Sequence, residues 1–243
     1  KTGSPSEILL PLSRAIQYRR ELQKIASRHK TALLRNGIIG ESPKLQFCLD
    51  QLAEAASSEA NVLITGETGT GKELFANALH INSPRSMERF VTVDCASLPE
   101  QLAESVLFGH SRGAFTGAER KHEGLILQAH QGTLFLDEVG ETPLPLQKTL
   151  LRTLQERRVR PVGSPSEVES DFRLVAATNR DLDGMVAEGL FRKDLLFRLR
   201  TYKIELPPLR ERKEDIRQLI LHHLSRHSER CGLEIKGVSP EFL

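Results

Sequence analysis

The sequence is short of everything that would place it in an unusual class. Its 243 residues include only three cysteines, with 17 glycines and 12 prolines, and hydrophobic residues make up 39%. With glycine counted, the apolar share is about 46%, an ordinary globular value. Disorder, collagen-like repeats and a disulfide scaffold are excluded. No apolar run approaches the roughly 18 to 20 residues that span a bilayer. The opening KTGSPSE lacks a basic stretch followed by an apolar one, so neither a membrane segment nor a signal peptide is expected. Cys48, Cys95 and Cys231 are odd in number, far apart and without CxxC spacing. They read as reduced, partly buried thiols of a cytoplasmic protein. The histidines show no metal spacing either, and the adjacent His222 and His223 cannot share one helix face. No internal repeat or low-complexity segment stands out.

Net charge is nearly absent too, at +2, but it is unevenly spread. Residues 1–36 carry Lys1, Arg14, Arg19, Arg20, Lys24, Arg28, Lys30 and Arg35 against Glu7 and Glu21. The rest is therefore slightly acidic. Leu12, Ile16, Leu22 and Ile25 recur at roughly helical spacing, which favours a solvated amphipathic linker or dimer helix over a nucleic-acid arm. Gly37 is a plausible stop and domain boundary.

From there the pattern alternates. NVLIT (61–65), FVTVD (90–94), TLFLD (133–137), FRLVAAT (172–178) and TYKIEL (201–206) read as strands. ELFANALH (73–80), LPEQLAESVLFG (98–109), PLQKTLLRTLQERR (145–158) and MVAEGLFRKDLLFRL (185–199) read as helices between them. Such alternation predicts an α/β fold with a parallel sheet covered on both faces. After Pro207-Pro208, KEDIRQLILHHLSRHSER (213–230) is helix with no strand following, so an all-helical element begins near residue 208.

The chemistry starts at Gly66-Glu67-Thr68-Gly69-Thr70-Gly71-Lys72-Glu73, which follows one strand and opens one helix. That context marks a phosphate-binding loop. Glycines let backbone N–H groups turn inward, the helix N-terminus adds its positive end, and Lys72 reaches the β- and γ-phosphates. Glu73 replaces the usual Ser or Thr that holds Mg²⁺, so the ion must rest elsewhere. Asp137 and Glu138, at the carboxyl end of TLFLD, can divide the work of holding Mg²⁺ and polarising water. Thr178-Asn179 ends another strand with a polar amide. Arg192 and Arg198, six apart, differ in direction by about 120° on one helix. As a bare pattern they favour an ordinary basic helix over a pair acting in trans. Gly113-Ala114-Phe115-Thr116-Gly117-Ala118 interrupts what otherwise reads as helix, and its aromatic tip between glycines suits a moving protein contact.

GAFTGA resembles the signature of bacterial enhancer-binding proteins, the AAA+ activators of sigma-54 RNA polymerase. So do GETGTGKE, LPEQLAESVLFGHSRGAFTGA, GTLFLDEVGE, LLRTLQERRVRPVG, AATNRDL, FRKDLLFRL and LPPLRERKEDI. The resemblance covers nearly all of residues 37–243. It implies an AAA+ P-loop NTPase fold, a five-stranded parallel sheet between helices that binds and hydrolyses ATP with Mg²⁺. It divides the chain into a helical linker (1–36), an ATPase core (37–207) and the start of a helical lid (208–243). In the family the lid runs on to a sensor II arginine that has no counterpart before Leu243, so the chain reads as a cut-out of an NtrC-type two-component regulator.

By the same resemblance Glu73 belongs to the family's own phosphate loop. Asp137 is the metal-holding carboxylate, Glu138 the catalytic glutamate and Asn179 part of sensor I. Arg192 and Arg198 become arginine fingers, Ile38, Ile39 and Gly40 pack against adenine, and Gly113 to Ala118 contact sigma-54. Arg158 to Asp171 form a second loop that moves with the first. The family usually has Asn where this chain has Asp94, the partner that restrains the catalytic glutamate. An ionised Asp94 beside Glu138 would repel it unless a proton or Mg²⁺ intervened. The implied partners are the sigma-54 RNA polymerase holoenzyme, copies of the chain itself (a hexamer or heptamer when active, a dimer when inactive) and enhancer DNA read by a helix-turn-helix absent from this sequence. A cytoplasmic location and no membrane contact go with these. Another AAA+ machine, such as a helicase loader or clamp loader, and a nucleotide-gated scaffold without turnover remain the rival readings.

Overall fold

The computed structural model describes residues 33–232; the helix expected in the leader and the last eleven residues lie outside them. Five strands form one all-parallel sheet: β1 (Val62–Thr65), β2 (Phe90–Asp94), β5 (Thr133–Asp137), β8 (Arg173–Thr178) and β9 (Tyr202–Glu205). They lie side by side in the order β2-β5-β8-β1-β9. Every residue of β8 is buried, as expected of a central strand covered on both faces. The edge strands β2 and β9 alternate more openly.

Helices cover both faces. On one side Leu63, Leu134, Leu136, Leu174 and Ala176 meet Leu107, Phe108, Leu150, Leu154, Leu195 and Leu199 in a continuous core. These come from α3 (Glu100–Phe108), α5 (Leu144–Glu156) and α7 (Lys193–Leu199). The alternate residues Ile64, Phe135 and Val175 face α1 (Pro43–Ala56) and α2 (Lys72–Ile81). The predicted strands and the helices around residues 73–80, 98–109 and 145–158 stand where the alternation put them. Helix α1 is an addition. Its start is written in Ser42-Pro43, an N-cap whose side chain accepts from Leu45 N and a proline at the first turn.

Two expectations need correction. The helix expected over 185–199 is two helices, α6 (Leu182–Ala187) and α7. Gly189, at φ +73°, breaks the run, and the N–H groups of Leu190 and Phe191 both return to Met185 O. Arg192 is therefore the extended N-cap of α7 rather than a residue on a shared helix face, and the 120° relation to Arg198 does not hold. The GAFTGA segment likewise does not interrupt a helix. Helix α3 ends at Gly109 (φ +80°), and the segment is the tip of an antiparallel ribbon of β3 (Gly109–His110) and β4 (His122–Glu123).

The short helix α4 (Leu125–Gln128) returns the chain to β5. A second ribbon, β6 (Arg158–Val159) with β7 (Val168–Glu169), encloses the other surface loop. After β9, two 3₁₀ turns lead into α8 (Ile216–Cys231), none of whose residues is buried. Cys48 and Cys95 are buried and Cys231 is exposed. Among the described residues no helix is long and apolar enough to cross a membrane.

Candidate functional site

The strands' carboxyl ends converge where the order reverses between β1 and β8, the place at which open α/β sheets bind ligands. The glycine-rich loop leaves β1 there. Its turn is closed by Thr70, whose N–H and Oγ1 both donate to Glu67 O, at 3.2 and 2.8 Å. Gly71 (φ +100°) is the N-cap of α2 and supplies the left-handed turn that starts the helix. Lys72 is buried at 7% exposure, donating to Gly66 O at 3.1 Å with Nζ 3.2 Å from Glu138 Oε1. Glu73 is exposed on the first turn of α2, where a negative charge suits the helix dipole.

Glu138 takes the left-handed conformation (φ +49°), which turns it out of the line of β5. Its Oε2 accepts from the backbone N–H of Asn179 at 3.0 Å, and Asn179 Nδ2 donates to Thr68 Oγ1 at 3.0 Å. The structure thus links phosphate loop, acidic turn and β8 terminus in one set: Thr68, Asn179, Glu138, Lys72. Asp137 lies beside it, accepting from Glu138 N–H at 3.0 Å and forming no ion pair among the described residues. Burial pushes its carboxyl above the usual range, and the neighbouring charge of Glu138 adds to this. The Glu138 N–H and Lys72 offset it only partly. Burial, reinforced by Asp94, Asp137 and Glu138, pushes the Cys95 thiol up to about 12, so it stays a neutral core residue.

Asp94 pairs in register with Asp137 across β2 and β5. Its side chain caps its own turn, accepting from Ala96 N–H at 3.0 Å, and makes no hydrogen bond to Glu138. Ile38 and Gly40 are buried and Ile39 is half-buried. A Cβ on Gly40 would fall 2.5 Å from Asp215 Cγ, so the chain must pass there as glycine. A polar cleft of about 380 Å³ opens at this edge, lined in part by Gly66, Glu67, Thr178, Asn179, Pro208 and Arg210.

Arg192 and Arg198 are not brought to it. Arg192 grips Asp194 with Nε and Nη2, at 3.0 and 2.7 Å, and Arg198 Nη2 donates to Leu154 O at 3.2 Å. Neither bonds to a phosphate-loop residue or to Glu138.

The Gly113–Ala118 loop is folded on itself: Gly113 N donates to Ala118 O at 2.8 Å and Ala118 N to Phe115 O at 3.0 Å. Phe115 packs edge-on against His110, ring centroids 5.0 Å apart, and His110 in turn bonds Ser105 Oγ through Nδ1 at 2.7 Å. The second loop is tied to the first by backbone bonds, Ser111 N to Val162 O and Val162 N to Gly109 O, both 2.9 Å. Gly163 comes so near Ala114 that a Cβ would sit 2.7 Å from its methyl carbon. Sequence reasoning gave no role to His110, Arg210, Arg212 or Asp215. Their partners lie on other elements, and no local pattern signals such pairings.

The family described as the Sigma-54 interaction domain matches residues 38–205. Regulatory protein AtoC of Escherichia coli (strain K12) is 46% identical over 237 residues, which is 96% of this chain and 51% of that protein. Transcriptional regulatory protein ZraR of the same strain is 50% identical over 207 residues, 85% of this chain and 47% of that one. The crystal structure of NtrX from Brucella abortus in complex with ATP superposes with a TM-score of 0.78 at 30% identity, covering 99% of this chain and 51% of NtrX. The chain spans about half the length of the curated relatives it matches.

Proposed function

The chain belongs to the sigma-54 interaction domain family, activators built on an AAA+ P-loop fold, and from that premise we propose that it hydrolyses ATP to remodel the sigma-54 RNA polymerase closed complex through its Gly113–Ala118 loop. The linked set of Thr68, Asn179, Glu138 and Lys72 carries the catalytic half of this reading. It joins a phosphate-binding lysine to a carboxylate and to the amide that senses both.

Arriving phosphates compete for Lys72 and draw it from Glu138. The freed carboxylate accepts a proton from the attacking water, whose oxygen bonds to the γ-phosphorus as the bond to the β–γ bridging oxygen breaks, giving ADP and phosphate. Asp137 suits Mg²⁺. It is a hard oxygen donor in no ion pair among the described residues, though the charge of Lys72 acts on it, and Mg²⁺ takes one or two carboxylates, with phosphate oxygens and water filling its shell. When bound, the ion neutralises developing phosphate charge. Asn179 holds Glu138 through its N–H, so a change at the phosphates is felt along β8.

Arg192 and Arg198 bond Asp194 and Leu154 O rather than this chain's own phosphate loop, which supports their acting on a neighbouring subunit in a ring of six or seven copies. The backbone bonds between the two surface loops support their moving together. Thr116→Ala tests the reading directly: open-complex formation with sigma-54 polymerase is lost while ATP turnover persists. Retention of both removes the assignment to this loop. Specific ATPase activity rises with protein concentration if fingers act in trans and stays flat if each subunit is complete. The cytoplasm and enhancer DNA go with the same proposal.

A further inference from the structure

The stretch LPPLRERKEDI, residues 206–216, has no role in the reading above. After Pro208 it forms two 3₁₀ turns, Leu209–Glu211 and Lys213–Asp215, and its side chains reach back to the phosphate loop at two points and to the segment after Gly40. Arg210 holds the Glu67 carboxylate with both terminal nitrogens, at 2.7 and 2.6 Å. Arg212, only 7% exposed, donates through Nη2 to Thr70 O at 3.0 Å, and among the described residues its buried Nε has no partner. Asp215, 1% exposed, accepts from the N–H groups of Glu41 and Ser42 at 2.7 and 2.8 Å and from Ser42 Oγ at 2.6 Å. It thereby pins the segment that follows Ile38–Gly40.

Glu67 is an odd residue for an anion cradle. It is the second residue of the phosphate loop, and a free carboxylate there repels a triphosphate. Among the described residues the only cation bonded to it is Arg210. The planar fork of arginine suits this work, since it meets both oxygens at once. Thr70, three residues on, has its carbonyl engaged by Arg212, which fixes the peptide plane that also carries the Gly71 N–H.

Resting on the reading of this edge as a nucleotide site, we propose that the Leu209–Asp215 strap positions the phosphate loop for ATP. Arg210 cancels the charge of Glu67, and Arg212 fixes Thr70. Both are positioning residues.

Calorimetric titration of the chain with ATP, with thermal unfolding as a check on the fold, tests this. Absence of binding by the unaltered protein overturns the nucleotide reading itself. If it binds, Arg210→Ala keeps its melting temperature, because the side chain is exposed, yet binds ATP about two- to fivefold more weakly, the range of an exposed charge pair. The deficit shrinks as salt is raised. Arg210→Lys keeps most of the affinity, because the charge remains. Adding Glu67→Gln to Arg210→Ala recovers the loss, because nothing is left to cancel. Arg212→Lys, which keeps the charge but shortens the reach to Thr70 O, also weakens binding. Parental affinity in Arg210→Ala overturns the proposal, and parental affinity in Arg212→Lys overturns its second half. A double variant as weak as Arg210→Ala alone overturns it too, since Arg210 would then act on the nucleotide and not on Glu67.

Discussion

The carboxyl edge of the sheet and the Gly113–Ala118 loop are held by different forces. At the edge, Lys72, Glu138, Asn179 and Thr68 sit on the ends of buried strands and bond to one another. The loop stands on a ribbon of two residues per strand, with one aromatic contact and one glycine-sized gap behind it. Phosphoryl transfer needs groups fixed before the reaction begins. An element that must move is drawn from the part of the fold with the lowest local stability. On the proposed function, the contrast teaches that one chain separates the two demands, placing chemistry on strand ends and motion on a loop.

The largest test of that separation is removal of the proposed fingers. Arg192→Ala or Arg198→Ala lowers ATP turnover by about 10³- to 10⁵-fold. Mixing either with Glu138→Gln restores partial activity, since one subunit's arginine completes another's site. Failure of mixed assemblies to recover would place the arginines in a structural role. Next is Glu138→Gln, which costs about 10²- to 10⁴-fold in turnover while ATP still binds, as single-turnover and binding measurements separate. Both leave the Phe115 loop as it is, so its proteolysis rate stays unchanged.

Stability comes third. Burial opposes ionisation of Asp215, but the hydrogen bonds from Ser42 and Glu41 together outweigh it and hold its carboxyl below the ordinary 3.8. The stabilisation is therefore complete above that value and lost as pH falls through the lowered one. Asp215→Asn costs about 1–3 kcal/mol in urea unfolding at neutral pH and flattens the acid limb. An unchanged acid limb would mean the bonds to Glu41 and Ser42 do not depend on charge.

The loop side offers smaller effects. Gly163→Ala, at φ +73° and against Ala114, costs about 1–2 kcal/mol and separates the two loops. Open-complex formation falls with ATPase activity kept. His110→Ala removes the ring under Phe115, a contact worth about 0.5–1.5 kcal/mol. Trypsin then cuts at Arg112, Arg120 and Lys121 faster. Equal rates would mean that the ring does not restrain the loop.

Much of the edge was legible in the sequence because its signals are local. A glycine-rich loop between strand and helix, and a carboxylate pair after TLFLD, carry their meaning within eight residues, and the β-branched runs mark the strands that present them. Arg192 was harder to read. Periodicity ran through Gly189 as if one helix covered residues 185–199, and only the bonds from Leu190 and Phe191 to Met185 show the break. Asp94 was expected to repel Glu138 only if ionised with no proton or Mg²⁺ between them, and its bond to Ala96 depends on a turn no pattern announces.

The sequence alone determined the alternating α/β class, the phosphate loop and the existence of a loop with an aromatic tip. Each follows from residues adjacent in the chain, where propensity and spacing act directly. Tertiary structure alone decided that Glu138 meets Lys72 and Asn179, that Phe115 rests on His110, and that Arg210, Arg212 and Asp215 reach back more than 140 positions to grip the cradle. Parallel strands separated by helices bring distant segments to one edge, and which side chains meet there is set by packing and register rather than by any local preference.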